Sequence, residues 1–331
     1  MHQMSPWDHF EAVTRPALAT APRNFLASIR ADSASNGILI AVRRRNTGWI
    51  FDHLIGVSQF QGISDRNASS FIVKHGLVSF EDIEVALRSA PTCPRLEAYW
   101  TFSDCRYRKA EHACSEPLHI GACTLPQHPT RKGSLIRAAY ALFLFIRDVC
   151  DGDFVGWIDQ RLAAADPGIG APNRAVQMGA ALLDPLRNII GIGDKVWSMA
   201  LADLLLAGDP TRERWVTTGA GMVVIDSLLH NHLHRTGVLR RFGAEHPYGP
   251  RCYASGGCSD LLRGLAARID ARRYNPTFPA SFPRFVQSAI WRLCSTTNLD
   301  HCNGNRIDDR DRCQNTACPA FTACDRLALH A

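Results

Sequence analysis

The sequence predicts a mostly α-helical protein, and three observations carry that prediction. Apolar residues recur at three- and four-residue spacing over long stretches, as in Phe51, Leu54, Ile55, Ala68, Phe71 and Ile72, which is the period of a helix with one buried face. Almost no segment alternates apolar and polar residues as a half-buried strand would, and no internal repeat is present. Residues 186–206, LRNIIGIGDKVWSMALADLLL, set a Gly191-Ile192-Gly193 turn between two helical stretches.

Along the chain, residues 1–47 read as a loosely defined lead-in. Residues 48–90 form the first part of a helical core, with Ser79 and Asp82 spaced as a capping box before Ile83, Val85 and Leu87. Residues 91–172 read as an insertion, made of a loop rich in Pro, Cys and His (91–134), then two helices over 135–164 broken near Gly152, then the linker Asp166–Pro172. Helices resume over 173–293. Asp184-Pro185 reads as the N-cap and first residue of a short helix leading into the glycine turn. Residues 207–221 read as a loop bracketed by Pro210 and Gly219/Gly221, and 226–236, 259–273 and 282–294 as helices. Residues 294–331 form a polar, cysteine-rich tail.

The 331 residues suffice for two modest domains, and at 46% hydrophobic content they can bury a sizeable core. Lys and Arg number 37 against 31 Asp and Glu, a mild excess that permits an anionic partner without requiring one. No apolar run reaches the ~18 residues of a membrane span. The N-terminus lacks the charged and apolar regions of a secretory signal, so a cytoplasmic, monomeric protein with no membrane partner is expected. Twelve cysteines in such a compartment argue for metal or cluster ligation rather than disulfides.

Candidate chemistry centres on two segments. A Gly-x-Gly turn at a helix N-terminus lets the backbone approach a phosphate and offers it N–H groups, so Gly191, Ile192 and Gly193 are candidate DNA-backbone ligands. Lys195 falls in the first turn of the following helix, and a neutral amine there is a candidate nucleophile. Downstream, Asp226 follows Val223-Val224-Ile225 and opens a helical stretch, SLLHNHLHRTG. Asp is a preferred N-cap, which accounts for it without any chemistry. The functional alternative is a carboxylate that stabilises oxocarbenium character or deprotonates an attacking amine or water.

Together the two segments resemble the HhH-GPD superfamily of DNA glycosylases, the group of endonuclease III. That family's hairpin reads L-P-G-V-G-x-K-T-A, against Ile189-Ile190-Gly191-Ile192-Gly193-Asp194-Lys195-Val196-Trp197 here. Its catalytic lysine falls on Lys195. Its V-D-T-H-x-x-R-V-x-x-R falls on Ile225–Arg235, placing the catalytic aspartate on Asp226 and a later DNA-contacting arginine on Arg235. Ser58 and Gln59 are similar in style to the family's first glutamine-bearing helix. The sequence departs from the family at Leu228, where a histidine is usual. Lys195 and Asp226 stand 31 positions apart, more than the family's spacing, and segment 91–134 has no counterpart. The resemblance implies a bilobal helix-hairpin-helix core with double-stranded DNA as partner. It implies a base-excising glycosylase, with AP-lyase activity if Lys195 forms a Schiff base. The insertion suggests an unusual target, such as a bulky modified base of phage DNA, in repair or in defence. The alternatives are a monofunctional glycosylase in which Asp226 activates water, a non-catalytic DNA-binding protein, and a metal-dependent nuclease.

The tail carries Cys302, Cys313, Cys318 and Cys324 at C-x10-C-x4-C-x5-C, enough thiolates for a 4Fe–4S cluster or a tetrahedral zinc, with Cys294 as an alternative first ligand. Many endonuclease III relatives end in C-x6-C-x2-C-x5-C, of which the last gap matches. Cys93, Cys105, Cys114 and Cys123 are a second candidate set, at a spacing that fits no trusted zinc pattern. Cys252 and Cys258 can ligate or simply pack. His230, His232 and His234 alternate on one helix, and neighbours two apart point about 200° away from each other. Only His230 and His234 share a face, which gives a weak case for metal.

Overall fold

The computed structural model describes residues 4–60, 63, 65–89, 93–108, 110–127, 134–302 and 309–329. Among them are sixteen α-helices, five short 3-10 turns and one two-stranded antiparallel hairpin, in which Tyr107 pairs with Cys114 and Arg108 with Ala113. The mostly helical class is therefore as read from the sequence. The chain divides into two compact units. One joins residues 1–29 to 219–331, and the other is residues 30–218.

The continuous unit is organised on helix Ser134–Asp148, whose residues from Ile136 to Ile146 are buried all round apart from Arg137. A helix apolar on every side belongs in a core. Phe143 meets Phe80 in a tilted pair at 4.6 Å and Phe80 meets Phe51 edge-on at 5.5 Å, joining helices Thr47–Ser58 and Phe80–Ser89 to the central one. The capping box is present: Ser79 N donates to Asp82 Oδ2 and Asp82 N to Ser79 Oγ. Helix Phe154–Ala165 packs on Arg174–Leu186, and the linker between them is anchored by Arg174, which bridges Asp166 at 2.6 Å and Glu213 at 2.6 Å.

Two local readings are corrected in this unit. Asp184 and Pro185 do not start a helix; they lie in the last turn of Arg174–Leu186. A proline there frees the carbonyl four residues back, and Arg161 Nε takes it up by donating to Ala181 O at 3.1 Å. Residues 213–221 are not loop but helix, with Trp215 buried and its indole N–H donating to Asp159 at 2.8 Å.

The discontinuous unit is built on helix Pro283–Cys294, which packs against Pro6–Ala19, Ser227–Arg235 and Cys258–Arg268. Phe25, Phe278, Phe282 and Phe285 form an aromatic cluster with centroids 5.0–5.9 Å apart. Residues 1–47, expected as a lead-in, instead carry three helices, of which the first buries Phe10, Val13, Ala17 and Leu18 on one face. Ser5 caps that helix and Pro6 opens it, the pattern such a start prefers. His9 Nε2 lies 2.7 Å from Thr236 O, tying the first helix to the end of the histidine helix Ser227–Arg235.

Candidate metal centres and candidate catalytic residues

The histidine helix is the organising element of the discontinuous unit's chemistry. Alternating histidines point to opposite sides, and here each side meets its own group of cysteines. On one side, His230 Nδ1 lies 3.4 Å from Cys258 Sγ and 3.5 Å from Cys252 Sγ, and His246 Nε2 lies 3.5 Å from Cys258 Sγ. These four ligand atoms all lie within 4.8 Å of one another, and both thiols are fully buried. On the other side, His232, Cys294 and Cys302 converge in the same way, with His232 Nδ1 3.7 Å from Cys294 Sγ. Both groups could hold a metal ion.

Local sequence explains each placement. Cys258 is the first residue of helix Cys258–Arg268, and Cys294 is the last of Pro283–Cys294. Cys252 sits in the 3-10 turn Pro250–Tyr253. The intervening loop closes on itself so tightly that a Cβ at Gly257 would fall 2.2 Å from Arg251 O, so only glycine fits there. In each group the two thiols titrate as a pair. The neighbouring thiol, with His230 and His246, draws Cys252 well below its ordinary range, while Cys258 is pushed far up. In the same way Cys302 is lowered by Cys294 and His232, and Cys294 is raised. Each pair thus already favours one thiolate.

The expected C-terminal set needs revision. Cys302 converges with Cys294 and His232 rather than forming a tight set with Cys313, Cys318 and Cys324. Cys318 and Cys324 feel the charge of Cys302, and burial raises both thiols, that of Cys324 to about 12. Arg326 N donates to Cys324 Sγ at 3.3 Å, and the Ala320 amide faces Cys318 Sγ; these amides oppose the effect of burial without overcoming it. Of the second candidate set, Cys93, Cys105, Cys114 and Cys123 are electrostatic neighbours, and Cys105, Cys114 and Cys123 each receive an amide N–H from two residues on. Among the described residues they do not draw together as closely as the two histidine-containing groups.

In the other unit, helix Arg174–Leu186 runs through a turn into Asp194–Ala207. Gly191 has φ +94°, which only glycine adopts without strain. Ile189 and Ile192 are buried and pin the turn, while Gly191 and Gly193 are exposed. Gly193 caps the second helix without a side chain, and a Cβ there would meet open space. Asp194 turns to Arg187 at 2.8 Å. Lys195 is half-buried in the first turn, and among the described residues its amine makes no ion pair or hydrogen bond. Asp226, in the discontinuous unit, is the N-cap of the histidine helix, and its Oδ1 accepts from Leu229 N at 2.9 Å.

Three residues expected to contact DNA are buried in this structure. Arg235 is 1% exposed and donates to Asp309 at 2.8 Å, so its guanidinium holds the C-terminal segment in place of a phosphate. Ser58 and Gln59 are buried, and the serine hydroxyl donates to Ile55 O. Several other arginines are held in ion pairs: Arg240 and Arg241 with Asp325, Arg272 with Asp270, and Arg45 with Asp153.

Of these ligands, His246 has no counterpart in the sequence reading, Cys294 stands there only as an alternative first ligand, and the alternating histidines carry only a weak case for metal. A search for one site sharing one helix face hides them, because this helix serves two. The legible signal is the run His246-x5-Cys252-x5-Cys258, which begins sixteen residues beyond His230.

No protein family, curated protein or solved structure matches this chain. Among the described residues no helix is long and apolar enough to cross a membrane.

Proposed function

We propose that the protein binds double-stranded DNA through the Gly191–Gly193 turn and excises a damaged or modified base, with Lys195 as nucleophile and Asp226 as the assisting carboxylate. The observation that carries this reading is the turn itself. An exposed glycine pair precedes a helix capped by no side chain, with a lysine amine in its first turn. Such an N-terminus attracts a phosphate by its N–H groups and dipole. The half-buried amine beside it then attacks C1′ of an extruded nucleotide. The amine nitrogen–C1′ bond forms as the glycosidic bond breaks. The base departs with the bonding pair and is protonated, and opening of the sugar ring leaves a Schiff base. Asp226 offsets positive charge developing on the sugar and accepts the proton the amine gives up. The two residues belong to different units, so the reading requires both to reach one sugar.

For the C-terminal group the reading is a metal centre: a 4Fe–4S cluster where Cys302, Cys313, Cys318 and Cys324 supply the thiolates, with Cys294 as an alternative first ligand. The cluster would order the tail, and the excision needs no redox step. Zinc on His232, Cys294 and Cys302 with one further thiolate is the competing occupant. Iron analysis and visible absorption of anaerobically purified protein separate the two.

The deciding experiment is borohydride trapping on a duplex with one abasic site, comparing the wild type with Lys195→Ala. A covalent adduct that the variant loses supports the lyase reading. No adduct with the wild type removes it, leaving a water-activating glycosylase or a DNA-binding protein.

A further inference from the structure

From the convergence of His230, His246, Cys252 and Cys258 we infer a structural zinc site of the two-cysteine, two-histidine kind, separate from the C-terminal group. The distances fit such an ion. Ligands about 2.3 Å (sulfur) and 2.0 Å (nitrogen) from a tetrahedral zinc stand about 3.5 Å from each other. The three sulfur–nitrogen separations here are 3.4, 3.5 and 3.5 Å.

Hydrogen bonding does not account for the same arrangement. An imidazole nitrogen has one in-plane lone pair, yet two sulfurs converge on His230 Nδ1. Cys258 Sγ is in turn approached by both imidazoles. Four groups that converge on one common point suit a shared cation better than a chain of donors and acceptors.

The surroundings agree. His246 Nδ1 lies 2.6 Å from Ala244 O and donates to it, which leaves Nε2 with its lone pair turned inward. Two thiolates and a zinc dication sum to zero charge, so the group can be as deeply buried as it is. Two imidazoles and two thiolates are also the borderline-soft set zinc prefers over calcium or magnesium. Four protein ligands leave no open position, which makes the role structural.

The ion would fasten loop 246–258 to the histidine helix. That loop and helix together line a cleft of about 570 Å3, bordered by His230, Asn231, His234, Glu245 and Tyr248. Tyr248 is close enough to Asp226 for its hydroxyl to feel that carboxylate. The zinc thus sets the wall of a cleft next to the candidate catalytic residue. The inference rests on this unit's own side chains and stands whether or not the protein excises bases.

The test uses the full chain purified from zinc-supplemented cells. Zinc per chain is measured for the wild type, Cys258→Ser, His246→Ala and Cys324→Ser. Each of the first two variants should lose one zinc equivalent and keep whatever metal the C-terminal group holds, and Cys324→Ser should keep this zinc. The wild type alone supplies a second readout that does not depend on a variant folding. Iodoacetamide should label Cys252 and Cys258, located by peptide mapping, about tenfold more slowly before than after treatment with a strong chelator. Equal labelling with and without chelator overturns the site, as does recovery of Cys252 and Cys258 as a disulfide-linked peptide. Copper in place of zinc overturns the assignment of the ion. Failure of the borohydride experiment leaves all of these outcomes unchanged.

Discussion

Asp226 has two jobs that a single substitution can separate. As an N-cap it accepts the Leu229 amide, a role asparagine fills equally well and alanine does not. Asp226→Ala is expected to cost about 1 kcal/mol of stability through the lost cap. Asp226→Asn should keep the denaturant midpoint of the wild type while abolishing base excision, because only the charge is gone. Excision that survives in the asparagine variant would reduce Asp226 to a cap. Arg235 makes the opposite prediction. Its buried guanidinium pairs with the half-exposed Asp309, and Arg235→Met should lower stability by about 2 kcal/mol without altering the salt dependence of DNA binding. Two histidines carry the pH response. Burial lowers the pKa of His53, and of His9 beside Thr236 O, below the ordinary 6.5. The unfolded chain then binds more protons than the folded one below that value, so their contribution to stability is present above it and drains away as the pH falls. Between about pH 7 and pH 5 the midpoint of chemical denaturation should fall, and His53→Gln should flatten that slope. An unchanged slope would show that His53 is not held neutral.

At the scale of elements, the glycine turn offers the sharpest contrast. Gly191 needs its left-handed backbone, so Gly191→Ala should destabilise the turn by about 1 kcal/mol. Gly193 has an ordinary backbone angle and open space at its Cβ, so Gly193→Ala should fold as the wild type does. It should nonetheless weaken DNA binding several-fold, since the added methyl stands where a phosphate would approach; unaltered affinity in a fluorescence-anisotropy titration would remove the turn from the interface. This turn was legible because two glycines and flanking apolar periodicity act locally. The helix before it was misjudged because Asp184-Pro185 is a start signal in isolation. What overrides it is Arg161, more than twenty residues earlier, whose guanidinium takes up the carbonyl the proline frees. The first helix escaped notice for a similar reason. Its apolar stripe of Phe10, Val13, Ala17 and Leu18 is short, and gains meaning only against Pro283–Cys294 near the far end of the sequence.

At the scale of the whole molecule, the cysteines show what a linear reading lacks. Spacing along the tail suggested four ligands from the tail alone. The fold draws Cys302 instead to Cys294 at a helix end and to a histidine seventy positions upstream. Both histidine-containing groups belong to the discontinuous unit, so metal removal should act unevenly. Prolonged chelation should lower the unfolding temperature of that unit while residues 30–218 keep theirs, giving two calorimetric transitions where the metal-loaded protein shows fewer or closer ones.

The route of the chain has a consequence for how the molecule is made. A ribosome delivers residues in order, and domains tend to fold as they emerge. Residues 30–218 can close on themselves while synthesis continues. Helix Pro6–Ala19, synthesised before that unit, must wait with Phe10 and Val13 uncovered until its partner Pro283–Cys294 follows it. Nascent chains stalled before residue 283 would therefore hold a finished inner unit and a bare, adhesive leading helix, the natural client of a chaperone.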